Sequence, residues 1–342
     1  MKRIFVTRRI PSEGLGLLKE ADVRTEVGQS DEEAGLSREA LLEGVQRADV
    51  LLSLLTERVD REVLETHPGL LGVANCAVGY DNVDVEAATR LGIPVSNTPG
   101  VLTDTTADFT WALLLSIARR IPEAHSYTAA GKFRLWGPNL LLGGDVSPGG
   151  NGRKKALGVV GFGRIGAAVA RRARGFDMEV LVHTRSDPGR LPDEATRVEL
   201  DELLERSDFV SIHLPLTEET QHRIGAPELR RMKETAYLVN TSRGPVVDEK
   251  ALVEALREGW IAGAALDVYE HEPRLTPDLA ELDNVVLAPH IGSASRDTRN
   301  RMATMAAANA LHHLSGKKAP NPVNPEVYDS EAWRNRRSRA SG

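Results

Sequence analysis

A glycine-rich turn between an apolar segment and a helix-like segment constrains the fold more than any other feature of the chain. The turn directly follows the apolar residues 156–160 and reads Gly161-Phe162-Gly163-Arg164-Ile165-Gly166. In a strand–turn–helix unit the first glycine permits the tight turn, the second lets backbone N–H groups approach a pyrophosphate, and the third lets helix and strand pack closely. The helix N-terminus then stabilises the phosphate charge. The pattern predicts a dinucleotide-binding site rather than an ordinary turn.

Length and charge exclude several classes of protein. A chain of 342 residues is too long for one ordinary core, and it predicts two domains. The formal net charge of −6 argues against nucleic-acid and membrane partners, which require clustered lysine and arginine. The basic segment 334–339 is an exception, and we interpret residues 331–342 as a frayed tail.

The composition also bounds the location and the chemistry. The single cysteine, Cys76, excludes an intrachain disulfide framework and a cysteine-based zinc cluster, and we expect no metal. The N-terminal apolar segment is too short for a signal peptide, and no segment approaches 18 consecutive apolar residues. These features predict a cytoplasmic protein.

Strand-like and helix-like segments alternate along residues 1–100, which is typical of a parallel sheet with helices on both faces. The strands are predicted over 4–7, 50–55, 72–77 and 93–96, and the helices over 37–47, 60–66 and 83–91. This domain has no glycine-rich phosphate turn of its own. We expect a doubly wound, flavodoxin-like fold.

A second alternating series occupies residues 101–293, after a long helix predicted over 104–120 and a loop over 143–152. Strands are predicted over 156–160, 179–182, 209–213, 236–240, 263–267 and 285–288. Six such strands match a doubly wound Rossmann nucleotide-binding domain. A final helix over 295–314 would return residues 294–330 to the first domain, so that the nucleotide-binding domain is inserted into it.

Polar side chains that could carry catalysis follow three of these predicted strands. Arg243, Glu272 and His290 each lie beyond a strand's carboxyl end, where open α/β sheets bind ligands. A guanidinium can hold a carboxylate in bidentate fashion, and a histidine beside a carboxylate can exchange a proton. Taken singly they could be a surface ion pair, a turn carboxylate and a structural histidine. Their joint placement behind a dinucleotide turn favours a catalytic site.

These motifs together resemble the D-isomer-specific 2-hydroxyacid dehydrogenase family, and most closely its glyoxylate/hydroxypyruvate reductase branch. The resemblance extends from about residue 50 to 294 and includes the spacing of 29 residues from Arg243 to Glu272. The segments that carry it are 77–84, 97–104, 106–109, the glycine turn, 241–244, and those around Glu272 and His290. Two features depart from the family pattern: Thr241-Ser242 before the arginine, and a long loop over 148–152.

The resemblance implies an NAD(P)H-dependent enzyme that reduces glyoxylate, hydroxypyruvate or a similar small 2-oxo acid, bound between the domains, to the D-2-hydroxy acid. Backbone N–H groups of Val78 and Gly79 would hold the substrate carboxylate together with Arg243. His290 would donate the proton, and Glu272 would keep it charged. The other cofactor contacts implied, beyond the glycine turn, are Thr106, Thr184, Arg185, Ser186, Leu214, Pro215, Thr220, Thr241, Ser242, Arg243, Asp267, His290 and Gly292.

The end of the second strand of this domain bears on the choice of cofactor. NAD sites usually carry an acidic residue there, bonded to the ribose 2′-OH. The sequence instead reads Thr184-Arg185-Ser186, with Asp187 arriving 26 residues after Gly161. Arg185 could pair with a 2′-phosphate, so NADP(H) is predicted to be preferred, and NAD(H) remains possible.

Two alternatives stay open beside this interpretation. A short-form 3-phosphoglycerate dehydrogenase would share the same motifs. A dinucleotide-sensing corepressor-like binding protein would share the fold, although the acidic balance disfavours it. A formate dehydrogenase is disfavoured, because that relative has a neutral amide in place of Glu272.

The helix over 104–120 predicts the oligomeric state. It is apolar on more than one face, so we expect it to be buried both in its own domain and in a twofold homodimer. In this branch of the family, the loop around Trp136 reaches toward the partner subunit's cleft. Trp136 could instead anchor its own loop.

Overall fold

A computed structural model describes residues 1–30, 35–149, 152–185, 191 and 195–339 of the chain. The chain divides into two compact units. Unit 1 comprises residues 1–102 and 294–342, and unit 2 comprises residues 103–293.

Unit 1 is built on a five-stranded parallel sheet. The strands are β1 (Arg3–Val6), β2 (Arg24–Val27), β3 (Val50–Ser53), β4 (Gly72–Asn75) and β5 (Val95–Ser96). They are arranged in the order β2-β1-β3-β4-β5. This is the flavodoxin-like order of a doubly wound domain.

Helices cover both faces of this sheet because successive strand residues point to opposite sides. The helices of unit 1 are α1 (Ser12–Glu20), α2 (Arg38–Gln46), α3 (Arg61–Glu65), α4 (Val85–Arg90), α11 (Arg296–Leu314) and α12 (Glu331–Arg339). Ile4 and Val6 pack in one apolar cluster with α1 and α11, whereas Phe5 packs in another cluster with α2 and α3.

The C-terminal segment corrects the prediction of a frayed tail over residues 331–342. Residues 331–339 form α12, whose Trp333 is only 3% exposed and packs edge-on against Tyr328. The guanidinium of Arg336 donates hydrogen bonds to the backbone carbonyls of Leu91, Pro68 and Leu70 at 3.0–3.1 Å. A buried indole and three carbonyl acceptors hold the helix on the domain. Residues 340–342 lie outside the described residues.

Unit 2 contains a seven-stranded parallel sheet. The strands are β6 (Ala156–Val160), β7 (Glu179–His183), β8 (Ala195–Arg197), β9 (Phe209–Ile212), β10 (Tyr237–Asn240), β11 (Gly263–Leu266) and β12 (Val285–Leu287). They are arranged in the order β12-β11-β10-β9-β6-β7-β8. The strand order reverses at β6, because β7 and β8 lie on one side of it and β9 to β12 lie on the other, as in a Rossmann domain. Six of the strands match the predicted ones, and the additional strand is the short edge strand β8.

Two apolar clusters lie on opposite faces of this sheet. The helices of unit 2 are α5 (Thr103–Ala118), α6 (Ile121–Ala129), α7 (Arg164–Arg172), α8 (Leu200–Arg206), α9 (Ala226–Arg231) and α10 (Glu249–Arg257). One cluster contains α5 and α7, which are joined by the Trp111 indole: it donates to the Val169 carbonyl at 3.1 Å and stacks on Phe176. The other cluster contains α8, α9 and α10.

The two parallel-sheet domains confirm the predicted fold class. None of the helices in the described ranges combines the length and apolar character needed to cross a membrane.

Candidate active site

The glycine turn joins β6 to α7, and the structure gives a steric reason for two of its three glycines. Gly161 has a φ of +94°, and a Cβ built on it would lie 2.6 Å from the His213 carbonyl oxygen. A Cβ on Gly166 would lie 2.2 Å from the Gly161 carbonyl oxygen. A Cβ on Gly163 would meet no described atom within 4 Å. The turn is therefore tightly packed beneath Gly161 and Gly166 and open above Gly163, which is the side from which a pyrophosphate would approach the helix N-terminus.

The other residues of the turn serve its packing and its surface. Phe162 and Ile165 are partly buried against the apolar cluster of α5 and α7. The side chain of Arg164, the first residue of α7, is exposed. An exposed cation at this position is available to an anionic ligand at the turn.

The strands beside β6 bring further predicted cofactor residues to this edge of the sheet. Leu214 follows β9, and its Cδ2 would lie 3.0 Å from a Cβ on Gly161. The Thr220 hydroxyl donates to the Pro215 carbonyl at 2.7 Å and accepts from the Thr217 N–H at 2.8 Å. Thr220 thus fixes the loop after β9, and its hydroxyl is occupied by the protein itself.

The end of β7 carries the residues predicted to choose the cofactor. Arg185 is 67% exposed at its side chain and forms an ion pair with Glu219, which lies in the loop after β9 and is 70% exposed. The Thr184 carbonyl accepts from Arg197 at 2.9 Å. Ser186 lies outside the described residues. Arg185 therefore has an anionic protein partner that inspection of the sequence did not reveal.

An asparagine at the end of β10 shapes the turn that presents Arg243. The Asn240 amide donates to the Arg243 carbonyl at 2.9 Å, and its oxygen accepts from the Ser242 N–H and hydroxyl at 3.0 and 2.8 Å. The next residue must be glycine, because a Cβ on Gly244 would lie 1.9 Å from the carbonyl carbon of Tyr269. One Arg243 Nη donates to the Ser242 carbonyl at 2.8 Å. The arginine is held by a turn that is fixed on both sides.

The turn after β12 is bound to the end of β11 through Asp267. This buried carboxylate accepts from the N–H groups of Ile291 and Gly292, both at 2.7 Å. Its carbonyl accepts from the His290 N–H at 2.9 Å. Burial raises the pKa of Asp267, while the two N–H donors and nearby His290 act in the opposite direction. Asp267 therefore fixes the backbone that carries the histidine.

His290 and Glu272 form a direct pair. The His290 Nδ1–H donates to Glu272 Oε2 at 2.9 Å, and Glu272 Oε1 accepts from the Tyr269 N–H at 3.0 Å. His290 has a φ of +54°, a region that non-glycine residues rarely occupy and that is typically retained at functional sites. Burial raises the pKa of Glu272, but the His290 hydrogen bond and charge, the Tyr269 N–H and the Arg243 charge outweigh it, so the net pKa is lowered.

Two predicted cofactor threonines and Gly292 lie around this turn. The Thr241 hydroxyl is 2.8 Å from that of Thr110, which donates to the Thr106 carbonyl at 2.8 Å. A Cβ on Gly292 would lie 2.9 Å from Asp267 Oδ2 and 3.5 Å from Thr106 Cγ2. These close contacts link α5 to the ends of β10 and β11, and they leave no room for a side chain at Gly292.

In unit 1, the loop after β4 carries Val78 and Gly79. Asn97 donates to the Val78 carbonyl at 2.7 Å, and Asn75 donates to the Gly79 carbonyl at 3.0 Å. No acceptor among the described residues bonds the N–H of Val78 or of Gly79. Two backbone donors with fixed carbonyls suit the binding of an anion.

The structure thus brings Arg243, Glu272 and His290 together at the carboxyl edge of one sheet that also carries the glycine turn. Sequence inspection missed Asn240, Gly244 and Tyr269, which hold them in place. The position of Asn240 at a strand end, before a turn, was the one available signal, because asparagine bonds to backbone groups two or three residues ahead.

Comparison with known proteins identifies the family. Residues 111–292 match the family described as D-isomer specific 2-hydroxyacid dehydrogenase, NAD binding domain. A glyoxylate reductase of Korarchaeum cryptofilum is 54% identical over 330 residues, which cover 95% of this chain and 96% of the relative.

Two solved structures are similar to this chain over nearly its whole length. A protein of Thermus thermophilus matches with a TM-score of 0.86 and 45% identity, over 94% of this chain and 99% of that one. An NADPH-dependent glyoxylate/hydroxypyruvate reductase of Sinorhizobium meliloti, in complex with NADP and malonate, matches with a TM-score of 0.79 and 33% identity, over 95% and 97% of the two chains. The chain belongs to the D-isomer-specific 2-hydroxyacid dehydrogenase family.

Proposed function

We propose that the protein is an NAD(P)H-dependent reductase that converts glyoxylate, hydroxypyruvate or a similar small 2-oxo acid to the D-2-hydroxy acid. The observation that carries the proposal is the 2.9 Å hydrogen bond between His290 Nδ1 and Glu272, beside Arg243 and on the same sheet edge as the glycine turn. The relatives named glyoxylate reductase, such as that of Korarchaeum cryptofilum, support the substrate class.

In this proposal the proton comes from His290. Because Nδ1–H is held by Glu272, Nε2 is the nitrogen that donates a proton to the substrate's keto oxygen. Glu272 stabilises the imidazolium before the transfer, and the lowered pKa of its carboxyl keeps it anionic. The reverse reaction uses the neutral imidazole as base.

Arg243 orients the substrate and stabilises the negative charge that develops on its oxygen. Its planar guanidinium matches a carboxylate next to a carbonyl. Within unit 1, the Val78 and Gly79 N–H groups suit a carboxylate, and their loop is held by asparagine side chains that bond both of its carbonyls. A small acid with adjacent carboxylate and keto groups is the ligand that such donors would select.

The glycine turn fits a dinucleotide, since the space above Gly163 is open and the helix N-terminus faces it. When bound, the reduced nicotinamide supplies the hydride. We infer a preference for NADP(H), with NAD(H) also accepted, from Arg185 and the absence of an acidic residue at the end of β7. The NADP complex of the Sinorhizobium meliloti relative supports this preference.

A steady-state assay tests the proposed function. Glyoxylate, hydroxypyruvate, pyruvate and 3-phosphohydroxypyruvate would each be offered with NADPH and with NADH. Turnover of the first two is expected to exceed that of the phosphorylated acid. Preference for 3-phosphohydroxypyruvate would favour the 3-phosphoglycerate dehydrogenase alternative, and dinucleotide binding without any turnover would favour the corepressor-like one.

We further propose a homodimer, although the supporting surface differs from the one predicted. Most of the large apolar side chains of α5 are buried inside unit 2. Apart from Met1, the most exposed large apolar side chains instead lie on α6 and the following segment: Ile121, Phe133, Leu135, Trp136 and Leu142 are 53–83% exposed. The 74% exposure of Trp136 favours a contact with the partner subunit over anchoring of its own loop.

Such a patch is typical of a surface that a second copy covers. Light scattering at micromolar concentration should give twice the 37.2 kDa chain mass, and a stable monomer would contradict the dimer. The cytoplasmic location stays a prediction, which cell fractionation tests.

A further inference from the structure

A buried carboxylate outside the catalytic residues holds the segment that carries Glu272. Glu249 is the first residue of α10, and its side chain is only 1% exposed. Its Oε1 accepts from the Glu270 N–H at 2.7 Å, and its Oε2 accepts from the Thr276 hydroxyl at 2.6 Å. The two oxygens therefore hydrogen-bond the chain at two points, one on each side of Glu272.

The contact is reciprocal at one of these points. The Glu270 carboxylate accepts from the Glu249 N–H at 3.3 Å and pairs with His222 at 2.7 Å. This arrangement satisfies one of the N–H groups that a helix start leaves without a partner, and it gives the second carboxylate a histidine partner. A buried charge without such partners would be costly, so the satisfied network indicates a geometry that is tightly specified.

The segment between these two hydrogen bonds contains Glu272, a member of the acid–base pair. Glu272 lies two residues after Glu270, and its carboxylate joins the Tyr269 N–H to His290. Tyr269 is fixed in turn by its hydroxyl, which donates to the Ala288 carbonyl at 2.8 Å. With Tyr269 and Thr276 both fixed, the Glu272 carboxylate has little freedom to leave the imidazole.

We propose that Glu249 is a positioning residue for the reaction: it acts through Glu272 by fixing the segment 269–276, and it does not itself touch substrate or cofactor. The inference rests on the proposed reductase function, in which Glu272 must meet His290. A displacement of the order of 1 Å in a catalytic group can lower turnover by about 100-fold. Glu249 lies 21 residues before Glu270 in sequence, yet it bonds the same short segment twice.

Four variants separate positioning from general stability. Glu249→Ala removes both hydrogen bonds, while Glu249→Gln keeps an acceptor for the Glu270 N–H and a partner for the Thr276 hydroxyl. Thr276→Val removes one of the two hydrogen bonds while the side-chain volume stays nearly constant. This variant keeps the test available if the alanine variant fails to fold. Glu254→Gln is the matched control, because it removes an exposed carboxylate from the same helix.

Glu249→Ala is expected to lower kcat for glyoxylate about 10- to 100-fold, with the NADPH Kd from calorimetry unchanged within about twofold. Glu249→Gln should retain most of the turnover, Thr276→Val should lose a smaller factor than the alanine variant, and Glu254→Gln should match the wild type. In a Glu272→Gln background, Glu249→Ala should cost less than about threefold, because the group it positions is already impaired.

Nitrogen NMR of the His290 ring gives a readout that does not depend on turnover. The resonance of Nδ1 should change in Glu249→Ala and Thr276→Val and stay unchanged in Glu254→Gln. Additive losses of kcat in the double variant, or an unchanged His290 resonance, would overturn the inference. A wild-type protein without activity on any 2-oxo acid would contradict the proposed function instead, and the NMR comparison would still decide whether Glu249 positions the pair.

Discussion

Removing the charge of Arg185 tests the cofactor choice, and the Arg185–Glu219 ion pair changes the expected size of the effect. A charge-assisted contact between a guanidinium and a 2′-phosphate contributes about 1.5–3 kcal/mol, which is roughly a 10- to 150-fold preference for NADPH. Both side chains of the ion pair are about two-thirds exposed, so the pair is worth about 0.2–1 kcal/mol. The phosphate has to compete with Glu219 for the same guanidinium.

Subtracting this competition leaves about 0.5–2.8 kcal/mol, a preference of roughly 2- to 100-fold in kcat/KM. Arg185→Ala should remove most of it and leave the NADH rate nearly unchanged, because an unphosphorylated ribose does not engage the guanidinium. Glu219→Gln should act in the opposite direction and raise kcat/KM for NADPH by about 1.4- to 5-fold.

The assay is kcat/KM with each cofactor at saturating glyoxylate, supported by calorimetric Kd values. Glu218→Gln is the matched control, since it removes one charge from the neighbouring exposed position. If Glu218→Gln raised NADPH use as much as Glu219→Gln, the effect would come from net charge and not from the pair. A wild-type preference for NADH would show that the interpretation of the end of β7 is wrong.

The remaining predictions concern the acid–base site. His290→Ala should lower kcat by about 10²–10⁴-fold with little change in NADPH Kd, and full activity would exclude it as the proton donor. Arg243→Ala should both raise the substrate KM and lower kcat, because it contacts ground state and transition state; a change in KM alone would exclude transition-state stabilisation. Glu272→Gln should lower kcat for reduction with little change in NADPH Kd, because the His290 ring loses the anionic partner that holds its Nδ1–H; an unchanged kcat would contradict this role. Because the pKa of Glu272 is lower in the folded protein than its unfolded value of about 4.3, its carboxylate stabilises the fold above that pH, and this contribution is lost as the pH falls through the folded pKa. In urea unfolding, the Glu272→Gln variant should therefore lose less stability on acidification than the wild type.

Central strands were predictable from the sequence, whereas two of the four edge strands, β2 and β8, were not. β6 and β9 are buried along their whole length and consist largely of apolar residues, which is the pattern of an inner parallel strand. The edge strand β2 reads Arg24-Thr25-Glu26-Val27 and is only partly buried, so it lacks that pattern. The short edge strand β8 is likewise largely exposed. An edge strand pairs on one side and can remain polar, and its sequence therefore resembles a loop.

The C-terminal helix shows the same limit. Its composition is dominated by arginine, and nothing within 331–339 reveals that Arg336 meets three carbonyl oxygens near α4. Those acceptors belong to residues about 245 to 268 positions earlier in the chain. A charge pattern alone cannot distinguish a solvated arginine from one whose guanidinium donates hydrogen bonds to backbone carbonyls that are distant in sequence.

The same limit applies to the candidate site, where some residues could be predicted from the sequence and others could not. Arg243 and His290 could be proposed from the sequence, because each comes shortly after a strand and the carboxyl ends of parallel strands lie at one edge of the sheet. Glu249 could not be proposed, because its buried position and its bonds to Glu270 and Thr276 exist only after α10 has packed beside the segment 269–276. Local sequence therefore specifies which groups perform the chemistry, and tertiary packing specifies how tightly they are held. Substitutions at Glu249 and at Glu272 test these two levels separately, since one changes the support and the other changes the group it supports.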